Sequence, residues 1–267
     1  MSAEDRTGVG RKEIGIAARR GTVTALDNKL HYRSAARTHV GAVRERNEDA
    51  VLDRPEIGLW AVADGAGGHQ RGDYASVSII AALSEVTPPT SAALLIDDVR
   101  TRLGRVNQTL REKAVALGPR AMICSTVLVV LITGARSCCL WAGDSRCYLL
   151  RAGGLRQISH DHSYVQDLVD RGEIGPEAAS DHPLANVVTN LLGAGDRLTL
   201  EERWDQLAPG DTLLLCSDGL CRALADPEIA AILRDHPVEA AADRLIESAV
   251  SSGAKDNVSV VVISCTG

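Results

Sequence analysis

An α+β fold, with antiparallel β-structure covered by long helices, is what this 267-residue sequence predicts. Three observations carry the prediction. Apolar runs of strand length recur at 59–63, 123–133, 137–142, 145–151 and 155–158, separated by glycine-containing turns. Two stretches, 73–85 and 91–117, instead repeat apolar residues every three to four positions, the spacing of a helix face. Consecutive hairpins imply antiparallel pairing, and helices of that length need a sheet to cover.

Taken in order, residues 1–34 read as a flexible N-terminal extension. The first 33 carry a net charge of +3 and show no lasting periodicity; docking onto the domain is the alternative. The remaining residues, 35–267, read as one domain. Short strands follow at 38–43, 50–52 and 59–63. The first helix places Ala75, Val77, Ile79, Ile80 and Leu83 at helical spacing and stops at Pro88-Pro89. Ser91 caps the second, whose stripe is Leu95, Val99, Leu103, Val106, Leu110 and Leu117. The β-rich block turns at Gly134, at Gly143-Asp144 and at Gly153-Gly154, so 137–142, 145–151 and 155–158 read as successive hairpins. Residues 160–190 break the pattern with polar, proline-containing text, the character of an inserted functional flap. A strand at 211–217 then ends in Asp218-Gly219, two helices follow at 227–235 and 237–251, and 258–264 closes the chain.

Composition excludes several function classes. A net charge of −6 and a pI of 5.7 argue against a nucleic-acid partner. An apolar content of 45% with mean hydropathy near zero describes a globular domain, and no apolar run is long enough to span a bilayer. Phe is absent, so the core is expected to be aliphatic. Seven cysteines without a CxxC pair read as buried, reduced thiols of a cytoplasmic protein rather than a zinc cage, and Arg19-Arg20 leads into no apolar signal region.

The chemistry lies in acidic residues at strand ends and turns: Glu48-Asp49, Asp64-Gly65, Asp218-Gly219 and Asp256-Asn257, with Asp144 as a fifth. One Asp-Gly after a strand is an ordinary turn. Five such elements, gathered without His or Cys, would form a hard oxygen site suited to Mg²⁺ or Mn²⁺. Arg44, just upstream, offers a planar fork for phosphate oxygens.

The motifs RERNEDA at 44–50, VADGAGGH at 62–69, WAGDSR at 141–146, DHS at 161–163, HP at 182–183, CSDGL at 216–220 and KDNVSV at 255–260 resemble, in order, the PP2C-type metal-dependent protein Ser/Thr phosphatases in their bacterial form. The resemblance implies a four-layer α–β–β–α sandwich of two central antiparallel sheets. It implies that Asp64 bridges two metal ions, with the Gly65 carbonyl on one, Asp218 and Asp256 on the second and Glu48 beside the first. Asp49 would orient a metal-bound water, Arg44 would bind phosphate, and Asp144 with Asp218 would hold a weaker third ion. Asn257, His69 and His162 would support these ligands from behind. The implied reaction is hydrolysis of phosphoserine and phosphothreonine by a metal-bridging hydroxide attacking in line, without a phosphoenzyme. Implied partners are phosphorylated proteins and an opposing Hanks-type Ser/Thr kinase, and the chain is expected to be a cytoplasmic monomer. The wording Gly72-Asp73-Tyr74-Ala75-Ser76 is similar to the branch linked to type VI secretion regulation. Ala66 stands where family members carry Met or His, and Asn190 where a basic residue is common.

Two other readings compete. Residues 216–222 satisfy C-x₂-G-x₂-R, the loop of cysteine-dependent phosphatases, although Asp218 would put an anion inside an anion cradle. A catalytically silent phosphoprotein-binding module would be expected to lack a metal carboxylate, and Asp64, Asp218 and Asp256 are all present.

Overall fold

The two ends of the domain pair with each other. In the computed structural model, which describes residues 30–66, 71–88 and 91–267, β1 (His31–His39) lies antiparallel to the closing strand β11 (Val258–Thr266) over nine residues. Residues 31–34, expected to end the extension, therefore belong to the sheet, because β11 offers them a full ladder of backbone partners. The rest of the expected extension, 1–29, lies outside the described residues.

The other strands are β2 (Asp49–Arg54), β3 (Leu59–Ala66), β4 (Cys124–Ser125), β5 (Val127–Thr133), β6 (Arg136–Ala142), β7 (Arg146–Arg151), β8 (Gly154–Gln157), β9 (Glu201–Gln206) and β10 (Thr212–Cys216). One sheet has the order β1-β11-β10-β7-β8, the other β2-β3-β5-β6-β9, with β4 paired to the end of β3. All pairings are antiparallel.

The helices are α1 (Gly72–Ser84), α2 (Ala92–Leu117), α3 (Tyr164–Asp170), α4 (Pro176–Ala179), α5 (Asp218–Ala223), α6 (Asp226–Asp235) and α7 (Val238–Ser251). Three apolar clusters establish the layers. Ile79, Leu83, Leu95, Val99 and Leu103 of α1 and α2 pack on Leu59, Ala61, Val129 and Leu140. Leu220, Ile229, Leu233, Ala242 and Leu245 of α5, α6 and α7 pack on Leu214, Val260 and Val262. Between the sheets, Trp60, Val62, Leu128 and Trp141 face Leu149, Leu213, Leu215, Val261 and Ile263. Alternate residues of β3 and of β11 thus serve opposite faces, as a two-residue period requires, and the order α–β–β–α agrees with the resemblance. Among the described residues the core is mainly aliphatic, with Trp60, Trp141, Tyr148 and six cysteines within it.

Several expectations are corrected. The single run 123–133 is two strands, because Thr126 leaves the ladder and turns its backbone N–H and hydroxyl to Asp64. Gly143-Asp144 is not a hairpin turn: β6 and β7 lie in different sheets, and the loop crosses between them. The crossing needs Gly143, whose φ of +115° brings it against Thr126. On α2, Ala114 is buried in place of Leu117, which is 49% exposed; a 3.6-residue period drifts off a strict seven-residue repeat. Ser91 accepts from the Leu94 N–H at 3.3 Å, as a cap should. β9 has no counterpart in the sequence reading, since Glu201–Gln206 is an edge strand, polar on nearly every side chain. Asp218-Gly219 is likewise not a turn but the opening of α5.

Candidate metal centre

The elements carrying the acidic residues meet at one end of the sandwich. Asp49 and Asp64 face each other as directly paired residues of β2 and β3. Asp144 arrives on the loop between the sheets, Asp218 at the start of α5, and Asp256 just before β11. A cleft of about 780 Å³ opens over this end, and Arg44, Asp144, Asp218, Arg222 and Asp256 are in its wall. The segment 163–186, part of the predicted flap, forms the facing wall through Ser163, Gln166 and Asn186.

Backbone contacts fix the acids before side chains do. A Cβ at Gly65 would lie 2.1 Å from the Gly72 carbonyl oxygen, and one at Gly72 would lie 2.6 Å from the Gly65 oxygen. These two glycines let the end of β3 touch the start of α1. The Gly65 N–H donates to the Glu48 carbonyl at 3.1 Å, and Ser76 Oγ donates to the same oxygen. Asn257 then ties three strands of loop together: its Oδ1 accepts from the Glu48 N–H at 2.8 Å, and its Nδ2 donates to the carbonyls of Val40 and Arg46 at 2.9 Å each. Asn257 thus fixes the backbone of Glu48 beside the acids. It also sets the loop that carries Arg44.

The electrostatics describe carboxyl groups crowded together out of water, with more acid than the nearby arginines offset. Burial first, with repulsion from Asp218 and Asp256, pushes the Asp49 carboxyl up to about 7, against hydrogen bonds from Ser259 and Ser217 that lower it. Burial and the Asp218 charge push Asp144 up to about 7. Asp64 is raised well above the usual carboxylate range by burial, then by Asp49, Asp218, Asp144 and Asp256. Asp218 is raised by burial, opposed by Arg222. Shared repulsion of this kind requires the carboxylates to be near neighbours.

Among the described residues, no three His, Cys, Asp or Glu side chains stand as a closed cage. Arginines lie on two of the acids instead: Arg44 on Asp256 at 2.8 Å and Arg222 on Asp218 at 2.8 Å. The donor set nevertheless fits hard divalent cations. It is all oxygen, it runs from half-buried at Asp64, Asp218 and Asp256 to buried at Asp49 and Asp144, and Asp218 Oδ1 accepts from no donor group. Asp64 and Asp218 are close enough to repel each other, and a cation would relieve the repulsion at each acid at once.

Of the remaining expected residues, His162 joins the flap to the Asp144 loop. Its Nδ1 accepts from the Gly143 N–H at 3.1 Å and lies 3.2 Å from Asn190 Nδ2, while its Nε2 faces Glu201 at 3.2 Å. His69 lies outside the described residues. The Cys216 loop is not an anion cradle: Cys216 is fully buried at the end of β10, burial holds its thiol well above the ordinary value, and Arg222 is committed to Asp218.

Sequence reasoning missed a layer of hydroxyls and one ion pair. Ser217 and Ser259 both donate to Asp49 Oδ2, at 2.8 and 2.7 Å. Ser217 is the N-cap of α5, yet it makes no capping bond. Thr126 Oγ1 accepts from the Asp64 N–H at 3.0 Å and contacts Ser145 Oγ at 2.8 Å. Arg146 holds Asp161 through both Nε and Nη2, at 2.9 and 2.7 Å to Oδ2. The motifs WAGDSR and DHS contained that pair, but nothing in them said that the two meet.

Comparison with known proteins points to one family. The profile described as "Protein phosphatase 2C" matches residues 42–257. The serine/threonine protein phosphatase PstP of Mycobacterium tuberculosis is 37% identical over 236 residues, covering 87% of this chain; the chain spans only 45% of that relative's length. The solved structure of PppA, a key regulatory component of T6SS in Pseudomonas aeruginosa, is 42% identical with a TM-score of 0.82, covering 88% of this chain and 98% of that one. The catalytic domain of PstP in complex with two manganese ions superposes with a TM-score of 0.78 at 37% identity, covering 89% of this chain and all of that one.

Proposed function

The chain belongs to the protein phosphatase 2C family, and from that premise we propose that it hydrolyses phosphoserine and phosphothreonine esters in proteins with the help of divalent cations. One observation carries the reading: two paired strands, a helix start and two loops bring Asp49, Asp64, Asp218, Asp144 and Asp256 to one end of the sandwich beside Arg44. Asp64, the Gly65 carbonyl, Asp218 and Asp256 would hold two ions, with Glu48 at the edge of the first. Mn²⁺ and Mg²⁺ both suit this donor set, and Asp144 with Asp218 is the pair a weaker third ion would use.

Bound cations supply a water acidified for attack on phosphorus. The chain's own residues do the rest. Arg44, 53% exposed at its side chain, can leave Asp256 and present its fork to the phosphate oxygens, offsetting charge on the equatorial positions. Asp49, held on one oxygen by Ser217 and Ser259 and paired with Asp64 across β2 and β3, would orient a water beside the ions. The wall at Ser163, Gln166 and Asn186 limits which phosphorylated segment can lie in the cleft.

Phosphorylated proteins would be the substrates and a Ser/Thr kinase the opposing activity. The likeness to PppA supports a link to type VI secretion control. No helix among the described residues is long and apolar enough to cross a membrane, and a cytoplasmic monomer suits the reading. The test is phosphate release from a phosphothreonine peptide with Mn²⁺. Activity abolished by EDTA and by Asp64→Ala is expected; release that continues undiminished after chelation would end the proposal.

A further inference from the structure

Arg222 stands one helical turn after Asp218 on α5, and its guanidinium reaches two acids at once. Nη2 lies 2.8 Å from Asp218 Oδ2 and 3.7 Å from Asp144 Oδ2. Both carboxylates are largely out of solvent, with side-chain exposures of 16% and 7%. The two acids come from different elements, the crossing loop between the sheets and the start of α5; Arg222 meets Asp218 along its own helix and Asp144 only through the fold. Two buried carboxylates at close quarters need positive charge between them. Here that charge is attached to the chain.

Resting on the two-cation reading above, we propose that Arg222 takes the place of a third divalent ion: its guanidinium is the permanent counter-ion of the Asp144–Asp218 pair, and the enzyme binds two cations without recruiting a third. A guanidinium keeps its charge throughout the physiological pH range and cannot be chelated. A divalent ion arriving at Asp144 would have to displace the fork from both acids. Removing the fork would leave two uncompensated oxygen ligands facing a solvent-filled cleft, which is the composition of a cation site. Arg222 also forms part of the cleft wall with Arg44, so this third-ion position contributes a fixed charge to the surface a phosphoprotein meets.

The experiment counts ions rather than turnover. The full chain is freed of metal and titrated with Mn²⁺ alone, following free Mn²⁺ by electron paramagnetic resonance and heat by calorimetry. Wild type is expected to take two equivalents and Arg222→Ala three; adding Asp144→Asn to Arg222→Ala should return the count to two. Should Arg222→Ala fail to fold, Arg222→Gln, similar in length and neutral, makes the same comparison. Three equivalents in wild type, one of them lost in Asp144→Asn, would overturn this inference and leave the phosphatase reading intact. So would two equivalents in both Arg222 variants. A wild-type chain that binds no Mn²⁺ would overturn both.

Discussion

Asp64-Gly65 and Asp218-Gly219 are the same dipeptide at the end of the same kind of apolar strand, and they reach the same cleft by different backbones. β3 runs on through Gly65 to Ala66, because β4 pairs with its last two residues. β10 stops at Cys216, and Asp218 opens a helix. What the two share is a crossing. A Cβ on Gly65 would lie 2.1 Å from the Gly72 carbonyl oxygen, and one on Gly219 would lie 2.0 Å from that of Asn257. The glycine in each motif makes room for a second backbone beside the carboxylate; it does not make a turn. A dipeptide that looks like turn chemistry is therefore specified by tertiary contact.

The largest effect should come from the acids, where the two ends are alike. Asp64→Ala and Asp218→Asn should each lower phosphopeptide hydrolysis at least about a hundredfold, read as initial rates with saturating Mn²⁺. A variant at one end that stayed active would break the equivalence of the two motifs.

The glycines come next. A helical Gly→Ala change ordinarily gains about 1 kcal/mol, and Gly104→Ala on α2, with nothing within 4 Å of the added methyl, should do so. Gly219→Ala is also helical but should lose about 1–3 kcal/mol, because the carbonyl of Asn257 must move. Gly65→Ala should lose a similar amount from within a strand. Urea midpoints of the three variants decide the matter; a stabilised Gly219→Ala would show that the crossing has slack.

Smaller is a pH effect that both ends feel. Asp49 and Asp144, pushed up to about 7, hold their protons in the folded chain where the unfolded chain has lost them. Metal-free stability should therefore fall as pH rises from about 4 to about 7. Mn²⁺, which replaces those protons, should stabilise more at pH 7.5 than at pH 5.5. Thermal melts in EDTA and in Mn²⁺ at both pH values would show it, and equal gains at the two would contradict it.

The smallest effect is expected at Cys216. Cys216→Ser should keep hydrolysis within about threefold, since the thiol is buried in the apolar cluster and donates to the Arg146 carbonyl. A larger loss would mean that the end of β10 does chemistry that the end of β3 does not.

Much of this was legible beforehand. Strand-length apolar runs and two helical stripes named most of the elements, since burial imposes a period of two or of 3.6 on any chain with a core. The acidic residues were legible because carboxylates without His or Cys have few uses in company. Less could be read where local text is ambiguous. Glu201–Gln206 shows no alternation, as a polar edge strand need not, and Thr126 sits inside an apolar run that gives no hint of a break.

The sequence by itself determined the pieces, through periodicity, glycine placement and a set of oxygen ligands. Tertiary structure alone decided that β6 and β7 belong to different sheets, that Asn257 draws Val40, Arg46 and Glu48 together, and that Arg222 spans Asp144 and Asp218. The physical reason is range. Periodicity is set by a residue's immediate neighbours, while the meeting of charges from loops up to some two hundred residues apart depends on how whole layers stack.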